Sequence, residues 1–352
     1  MHKVKIEQVA AAAGVSRATV DRVLNRRGGV STAKERAVLI SARSLGLDRN
    51  LNAPRATALR VCVLMTSPRN PFYERLDRGF REANLLFADH AITAYVNHID
   101  VLAPDSIQRR LRRISSYDAL VIVAPANEKV LELLRPIAAR IPVVTLATDL
   151  PLGIPHHYVG PSNYQAGRLA GELMGRLLGA GEGNILLVAG LHDFSGHRER
   201  QAGFLAALGE DFADCTVTAR IESQDQGALV ADAIAVALRR DPKLRGLYNI
   251  SQGNDEIARR IETIRETRRF VFICHDLTPT TRALLLSRQV DVVIDQDPIL
   301  EARRAMEIVL QHYGRLDGRP TDGSTPTRVV FRENVGTEPL WEHPISSKRH
   351  QA

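Results

Sequence analysis

Ile6-Glu7-Gln8-Val9-Ala10-Ala11-Ala12-Ala13-Gly14-Val15-Ser16-Arg17-Ala18-Thr19-Val20-Asp21-Arg22-Val23-Leu24-Asn25 reads as two short helices hinged at a glycine. Ile6, Val9, Ala10 and Ala13 recur at helical spacing, Gly14 permits a tight turn, Val15 plugs it, and Ser16 is placed to cap the next helix. That second helix presents Arg17, Ala18 and Arg22 outward. Such a pair is a helix-turn-helix, whose second member lies in the DNA major groove. Gly28-Gly29-Val30 then makes a turn, and Ser31 or Thr32 opens a third helix that runs to Ser44 or Leu45 and stops at Gly46. Three helices can bury one another, so residues 1–47 are expected to form a small DNA-binding headpiece.

Working outward, the charge follows the same division. Through Arg60 there are twelve lysines and arginines against four acidic residues, a balance of +8 in a chain whose total is +7. The remainder sums to about −1, so the basicity belongs to the headpiece and points to a polyanion partner there. At 352 residues the chain exceeds one ordinary domain, and two or three units are expected. Cys62, Cys215 and Cys274 are far apart and read as buried free thiols. Glu7 and Gln8 interrupt the one early apolar stretch, and no long apolar run follows, so neither a leader nor a membrane span is read. The expectation is a protein of the bacterial cytoplasm.

Residues 48–58 carry Pro54 and little periodicity, and read as a linker. Beyond it, short apolar strands alternate with amphipathic helices: Val61–Met65, Ile92–Val96, Ala119–Val123, Val143–Leu146, Ile185–Val188, Gly246–Ile250, Phe270–Cys274 and Val290–Ile294. This is the pattern of parallel sheets built from βαβ units. The number of strands exceeds what one open sheet holds comfortably. An α/β arrangement of two doubly wound lobes over 59–340 is therefore expected, with the chain crossing near Pro161, Asp291 and Gly323 and a disordered tail over 341–352.

Several chemistries find no support. Gly179-Ala180-Gly181-Glu182-Gly183 precedes a strand, whereas a dinucleotide turn follows one, and no Walker phosphate loop occurs. His156, His157, His192 and His197 lack zinc-site spacing, and no serine elbow or cysteine-histidine motif stands out. No cofactor, no metal and no enzymatic activity are expected. More telling are the polar groups just beyond strand ends: Asn70-Pro71-Phe72-Tyr73, Asp149, Arg198, Asn254, Asp276 and Gln296-Asp297. Ligands of open α/β sheets bind outside the carboxyl ends of strands, so these groups would converge on one cleft. Arginine and asparagine donate, aspartate accepts from paired hydroxyls, and Phe72 or Tyr73 offers a flat wall to a carbon ring. That suits a small polyhydroxylated ligand: a sugar, polyol or sugar acid. Asn70 and Asp297 equally suit the plainer role of capping the helices that follow them.

The stretch Val9–Asn25, followed by Val30-Ser31, closely resembles the headpiece of LacI-type (lactose repressor family) transcriptional regulators. Leu59 to about Leu340 resembles that family's two-lobed, periplasmic-binding-protein-like (type I) effector domain, and particularly its ribose-binding branch. The resemblance implies a homodimeric regulator, most readily a repressor, bound to a pseudopalindromic double-stranded operator and switched by an effector between the lobes. In the headpiece, Arg17 and Arg22 would meet guanine or phosphate, Ala18 a thymine methyl, and Thr19 with Asn25 the backbone, while Ser16 and Ser31 complete the DNA-facing set. In the effector domain, Asn70, Phe72, Tyr73, Arg198, Asn254, Asp276 and Gln296 match the sugar contacts. After Leu146 this chain has Ala147-Thr148-Asp149 where the binding proteins carry Asp-Arg, so Thr148 and Asp149 would make different contacts. The linker also departs, with Ala56 near the position of a minor-groove leucine and Pro54 just before it. A sugar-binding protein of a transport system, cytoplasmic or exported, is the rival reading, and a sugar-acting enzyme using Asp276 as base a more distant one.

Overall fold

Gly14 adopts φ 62°, a left-handed value that suits glycine, and so turns α1 (Ile6–Ala12) towards α2 (Arg17–Leu24). Ser16 caps α2: the Thr19 N–H donates to its Oγ at 3.2 Å and the Val20 N–H to its carbonyl at 3.1 Å. α3 (Thr32–Ser44) opens at Ser31, whose carbonyl accepts from the Glu35 N–H at 3.0 Å. Val9, Ala10, Val20, Val23, Val38 and Ala42 form the buried core, with Val15 packed against it.

This computed structural model describes residues 5–24, 29–45, 58–68, 70–100, 103–179, 183–223 and 227–336. The expectations for Asn25, Gly46, Pro54, Ala56 and the tail 341–352 lie outside the described residues. The chain divides into two units, Met1–Thr57 and Ala58–Ala352.

In the second unit, β1 (Leu59–Thr66), β2 (Ile92–Ile99), β3 (Ala119–Ile122), β4 (Val143–Leu146) and β5 (His157–Val159) form a parallel sheet in the order β2-β1-β3-β4-β5. α4 (Pro71–Leu86), α5 (Pro104–Leu111) and α6 (Glu128–Ala138) connect its strands. A second sheet holds β6 (Gly183–Ala189), β7 (Cys215–Glu222), β8 (Leu244–Asn249), β9 (Val271–His275), β10 (Val292–Asp295) and β11 (Arg328–Val330), ordered β11-β10-β9-β8-β6-β7. Only β11 runs antiparallel to its neighbour, β10. Its helices are α7 (Asn163–Leu178), α8 (Ser195–Asp211), α9 (Gly227–Arg240), α10 (Asn254–Thr267) and α11 (Pro279–Leu286). Leaving β11 aside, both lobes repeat one strand order, with a switch point between β1 and β3 and again between β6 and β8.

The chain passes between lobes three times. The first passage lies between β5 and α7, beside Pro161. The second falls after β10, because α12 (Pro298–His312) packs in the first lobe, where Ala302, Met306 and Val309 join Leu76, Phe80 and Val144. The expected crossing near Asp291 is thus misplaced. The Asp291 carboxylate accepts from Arg265 at 2.8 and 3.1 Å and from the Phe272 N–H at 2.7 Å, all within the second lobe. The third passage is near Gly323, where Ser324 bridges Gly160.

β5 and β11 span three residues each and escape sequence reading for that reason. β7 escapes it because it lies at a sheet edge, where beyond the buried Cys215 its side chains alternate between half-buried and exposed instead of forming a continuous apolar run. The three cysteines are buried and free, and burial pushes the Cys62 thiol up to about 12. Among the described residues no helix is long and apolar enough to cross a membrane.

α7 and α8 approach so closely that a Cβ on Gly167 would lie 2.0 Å from the Arg200 carbonyl oxygen, and one on Gly203 2.0 Å from that of Tyr164. Both obstacles are backbone and cannot swing aside. Gly203→Ala should therefore destabilise the second unit by about 1–3 kcal/mol, read as a lowered urea midpoint. An unchanged midpoint would mean that the helices separate freely.

Candidate functional site

On the headpiece, Ser16, Arg17, Ala18, Arg22 and Ser31 are exposed and Thr19 is half-buried. The Ser16 and Thr19 hydroxyls lie 2.9 Å apart, so part of their capacity is spent on capping. Arg17 Nη1 lies 3.1 Å from Glu7 Oε1, an exposed pair that water and salt weaken. The face is a cationic surface carried on a buried valine and alanine core.

In the second unit a cavity lies between the carboxyl ends of the two sheets and encloses about 730 Å³ of empty space open to solvent. The first lobe lines it with Thr66, Asn70, Phe72, Tyr73, Ala147 and Thr148, and the second with Asn163, Phe194, His197, Arg200, Ser251, Gln252, Asp276 and Gln296. Asn70 does two things: its Oδ1 accepts from the Phe72 N–H at 2.9 Å to cap α4, and it lines the cavity. Phe72 and Tyr73 meet edge to face at 5.1 Å.

The polar floor is built around Arg200, which is only 5% exposed. Its Nε donates to Asn163 Oδ1 at 2.8 Å, and Asn163 Nδ2 donates to the Ala147 carbonyl at 3.0 Å. Ala147 and Asp276 follow equivalent strands, β4 and β9, and both take left-handed backbone angles, φ 58° and 65°. Such angles are strained for residues with a Cβ and aim both strand ends into the cleft. Gln296 Nε2 donates to Asp276 Oδ1 at 2.9 Å, while the buried Gln296 Oε1 has no partner. Burial and the neighbouring Arg200 hold His197 down to about 3, so it is neutral. Burial, with Arg200 and His197 adding to it, likewise holds His275 well below its ordinary range.

Three of the sequence-designated residues stand elsewhere. Arg198 is half-exposed, donates to the His192 carbonyl at 2.5 Å and does not line the cavity; Arg200, one half-turn on, does. Asp149 turns away, accepting from Thr145 Oγ1 at 2.7 Å and the Leu150 N–H at 2.8 Å, with His156 Nε2 at 2.9 Å. Asn254 lies in an adjoining chamber, its Oδ1 accepting from Asn249 Nδ2 at 2.8 Å. Sequence reading missed Arg200, although a signal existed: Arg200 shares the buried stripe of α8 with Gly203, Phe204 and Ala207, and Arg198 falls off it. Ser251, Gln252 and Asn163 carried no comparable periodic signal.

Direct bonds already join the lobes across this cleft. Thr148 Oγ1 accepts from the Gly196 N–H at 3.1 Å and lies 2.9 Å from Ser195 Oγ, which donates to the Asp149 carbonyl at 2.5 Å. Arg75 of α4 donates to the Leu277 carbonyl at 2.9 Å and to Asp295 Oδ1 at 3.3 Å. Burial pushes Asp295 up to about 6 against the pull of Arg75.

Residues 61–318 match the family model described as periplasmic binding protein domain, and residues 5–50 that described as bacterial regulatory proteins, lacI family. The Maltose regulon regulatory protein MalI of Escherichia coli is 30% identical over 261 residues, covering 70% of this chain and 72% of that one. The HTH-type transcriptional regulator DegA of Bacillus subtilis is 26% identical over 221 residues, covering 59% of this chain; that alignment spans 61% of DegA, less than two thirds of its length. The glucose-galactose binding protein GanP of Geobacillus stearothermophilus superposes with a TM-score of 0.70 at 20% identity, covering 79% of this chain and 98% of that one.

The Asp295 carboxyl has a testable consequence for stability. Its folded value of about 6 lies above the ordinary 3.8, so its protonated form favours the fold. The contribution is full below about pH 4 and is lost as pH rises through about 6. Asp295→Asn, which cannot ionise, should gain in urea stability relative to the parent as pH rises from 4 to 7. A difference independent of pH would show that Asp295 does not titrate in this range.

Proposed function

The chain belongs to the LacI family of bacterial regulatory proteins, and we propose that it is a cytoplasmic, dimeric regulator of transcription whose hold on a pseudopalindromic operator is set by a small sugar-like effector between its lobes. What carries this reading is one chain that joins a cationic helix-turn-helix face to a cleft combining Arg200, Asp276 and Gln296 with a Phe72 wall. Arg17 and Arg22 would donate to guanine O6 and N7 or to phosphate, and Ala18 would touch a thymine methyl. Arg200 would donate to ring or hydroxyl oxygens, Asp276 and Gln296 Oε1 would accept from hydroxyls, and Phe72 would stack on the ring's apolar face.

The effector acts through differential affinity. Ligand contacts made only in one lobe arrangement favour that arrangement, and a coupling of about 1–3 kcal/mol changes operator affinity appreciably. Release from DNA on binding is the favoured sign. We read the cleft as a binding site and not a catalytic one: Gln296 engages Asp276, and among the described residues no second acid lines the cavity at a spacing that glycoside chemistry would use. The rival reading, a transport-linked sugar-binding protein, accounts for residues 61–318 equally well but leaves the headpiece without a purpose.

Two experiments test this. A thermal-shift screen of the full chain against sugars, polyols and sugar acids should give a hit worth about 2.7 kcal/mol at one hundred times its dissociation constant. That hit should vanish in Arg200→Ala and Asp276→Ala and persist in Arg198→Ala; loss in Arg198→Ala alone would restore the sequence-designated arginine. On operator DNA, Arg22→Ala should lose about 1–3 kcal/mol at one base pair if it reads guanine. An equal loss on scrambled DNA would make Arg22 a phosphate anchor.

A further inference from the structure

A second chamber, open to solvent, adjoins the ligand cavity and shares Asn70, Ser251, Gln252 and Asp276 with it. We propose that the two chambers form one continuous site for an extended, neutral saccharide, with one ring in the inner cavity and a second hydroxylated unit in the outer chamber. This rests on the sugar-binding reading above and narrows it.

The two chambers differ in chemistry. The inner one has the aromatic surface, Phe72, Tyr73 and Phe194, which a sugar ring stacks upon. Among the described residues the outer one has no aromatic side chain other than His275; hydroxyls and amides line it instead, among them Ser251, Asn254, Thr278 and Thr280. Gly253 opens α10 there, and the Asp255 carboxylate accepts from first-turn amides of that 14-residue helix at the chamber wall. The unpartnered Gln296 Oε1 sits beside Asp276, one of the residues common to both chambers, where the link between two units would pass.

Charge narrows the ligand further. Among the described residues no lysine or arginine lines the outer chamber, whereas Asp255 and Asp276 do. Its histidine, His275, is buried against the Tyr248 hydroxyl at 2.7 Å and is held neutral. A phosphate or carboxylate on the second unit would therefore meet the Asp255 and Asp276 carboxylates, while a hydroxyl-bearing unit finds both donors and acceptors.

Isothermal titration of the full chain with D-glucose, D-galactose and D-xylose, each against its disaccharides maltose, cellobiose, lactose and xylobiose, tests this. One disaccharide should bind about tenfold or more tightly than its own monosaccharide. Thr280 is exposed at the chamber wall, so Thr280→Trp fills that chamber without disturbing the core. It should abolish the disaccharide's advantage and leave monosaccharide affinity unchanged. A monosaccharide that binds as tightly as its disaccharides, or a Thr280→Trp variant that leaves the disaccharide unaffected, overturns the inference and keeps the sugar-binding reading. Silence across the whole panel from a folded chain overturns both.

Discussion

The cleft depends on the glycine-lined crossing of α7 and α8. Because Gly167 lies under the Arg200 carbonyl and Gly203 under that of Tyr164, the two helices come within backbone contact at the end that faces the first lobe. That approach brings Arg200 down onto Asn163, and Asn163 in turn onto the Ala147 carbonyl of the opposite lobe. A buried guanidinium is costly unless its donors are used, so Arg200 organises what surrounds it. Together with burial, it keeps His197 and His275 in their neutral forms, which leaves Arg200 as the cation among the described residues of a floor that also carries Asp276.

The lobes are already fastened to each other by short polar contacts, and this shapes what a ligand can accomplish. The Thr148, Ser195 and Gly196 cluster and the Arg75–Asp295 pair join one lobe to the other. A ligand therefore adds to an existing balance, and only the contacts it gains on closure shift that balance. Thr148 illustrates the substitution: a hydroxyl that sequence reading assigns to the effector is occupied in joining one lobe to the other.

Much of this was legible in the residues, and the failures have physical causes. The headpiece reads cleanly because Gly14, Val15 and Ser16 each have one conformational task. The long buried strands read well because parallel strands covered on both faces are continuous apolar runs, as in the wholly buried β3, β4, β9 and β10. β7, with its alternating exposure, does not look like them. Among site residues, Asn70, Phe72, Tyr73, Thr148, Asp276 and Gln296 reach the cavity because position at a strand end is a sequence property. Side-chain direction is not: Asp149 has the right address and turns to His156, and Arg198 yields to Arg200 through the rotation of one helix. The crossing expected near Asp291 falls later in the chain, because β10, which follows Asp291, stays in the second sheet and α12 is the element that returns to the first lobe.

The repeated strand order has a consequence for how such a protein can change. Each lobe presents its ligand groups from loops that follow separate strands, and the sheets beneath are closed by their own apolar packing. A substitution at one strand end alters one edge of the bound molecule while the layers below keep their shape. On the proposed reading, new effector preferences would then arise a residue at a time, with the helix-turn-helix headpiece left untouched. The architecture makes the chain an adaptable receptor, whose vocabulary of signals can drift without loss of its output.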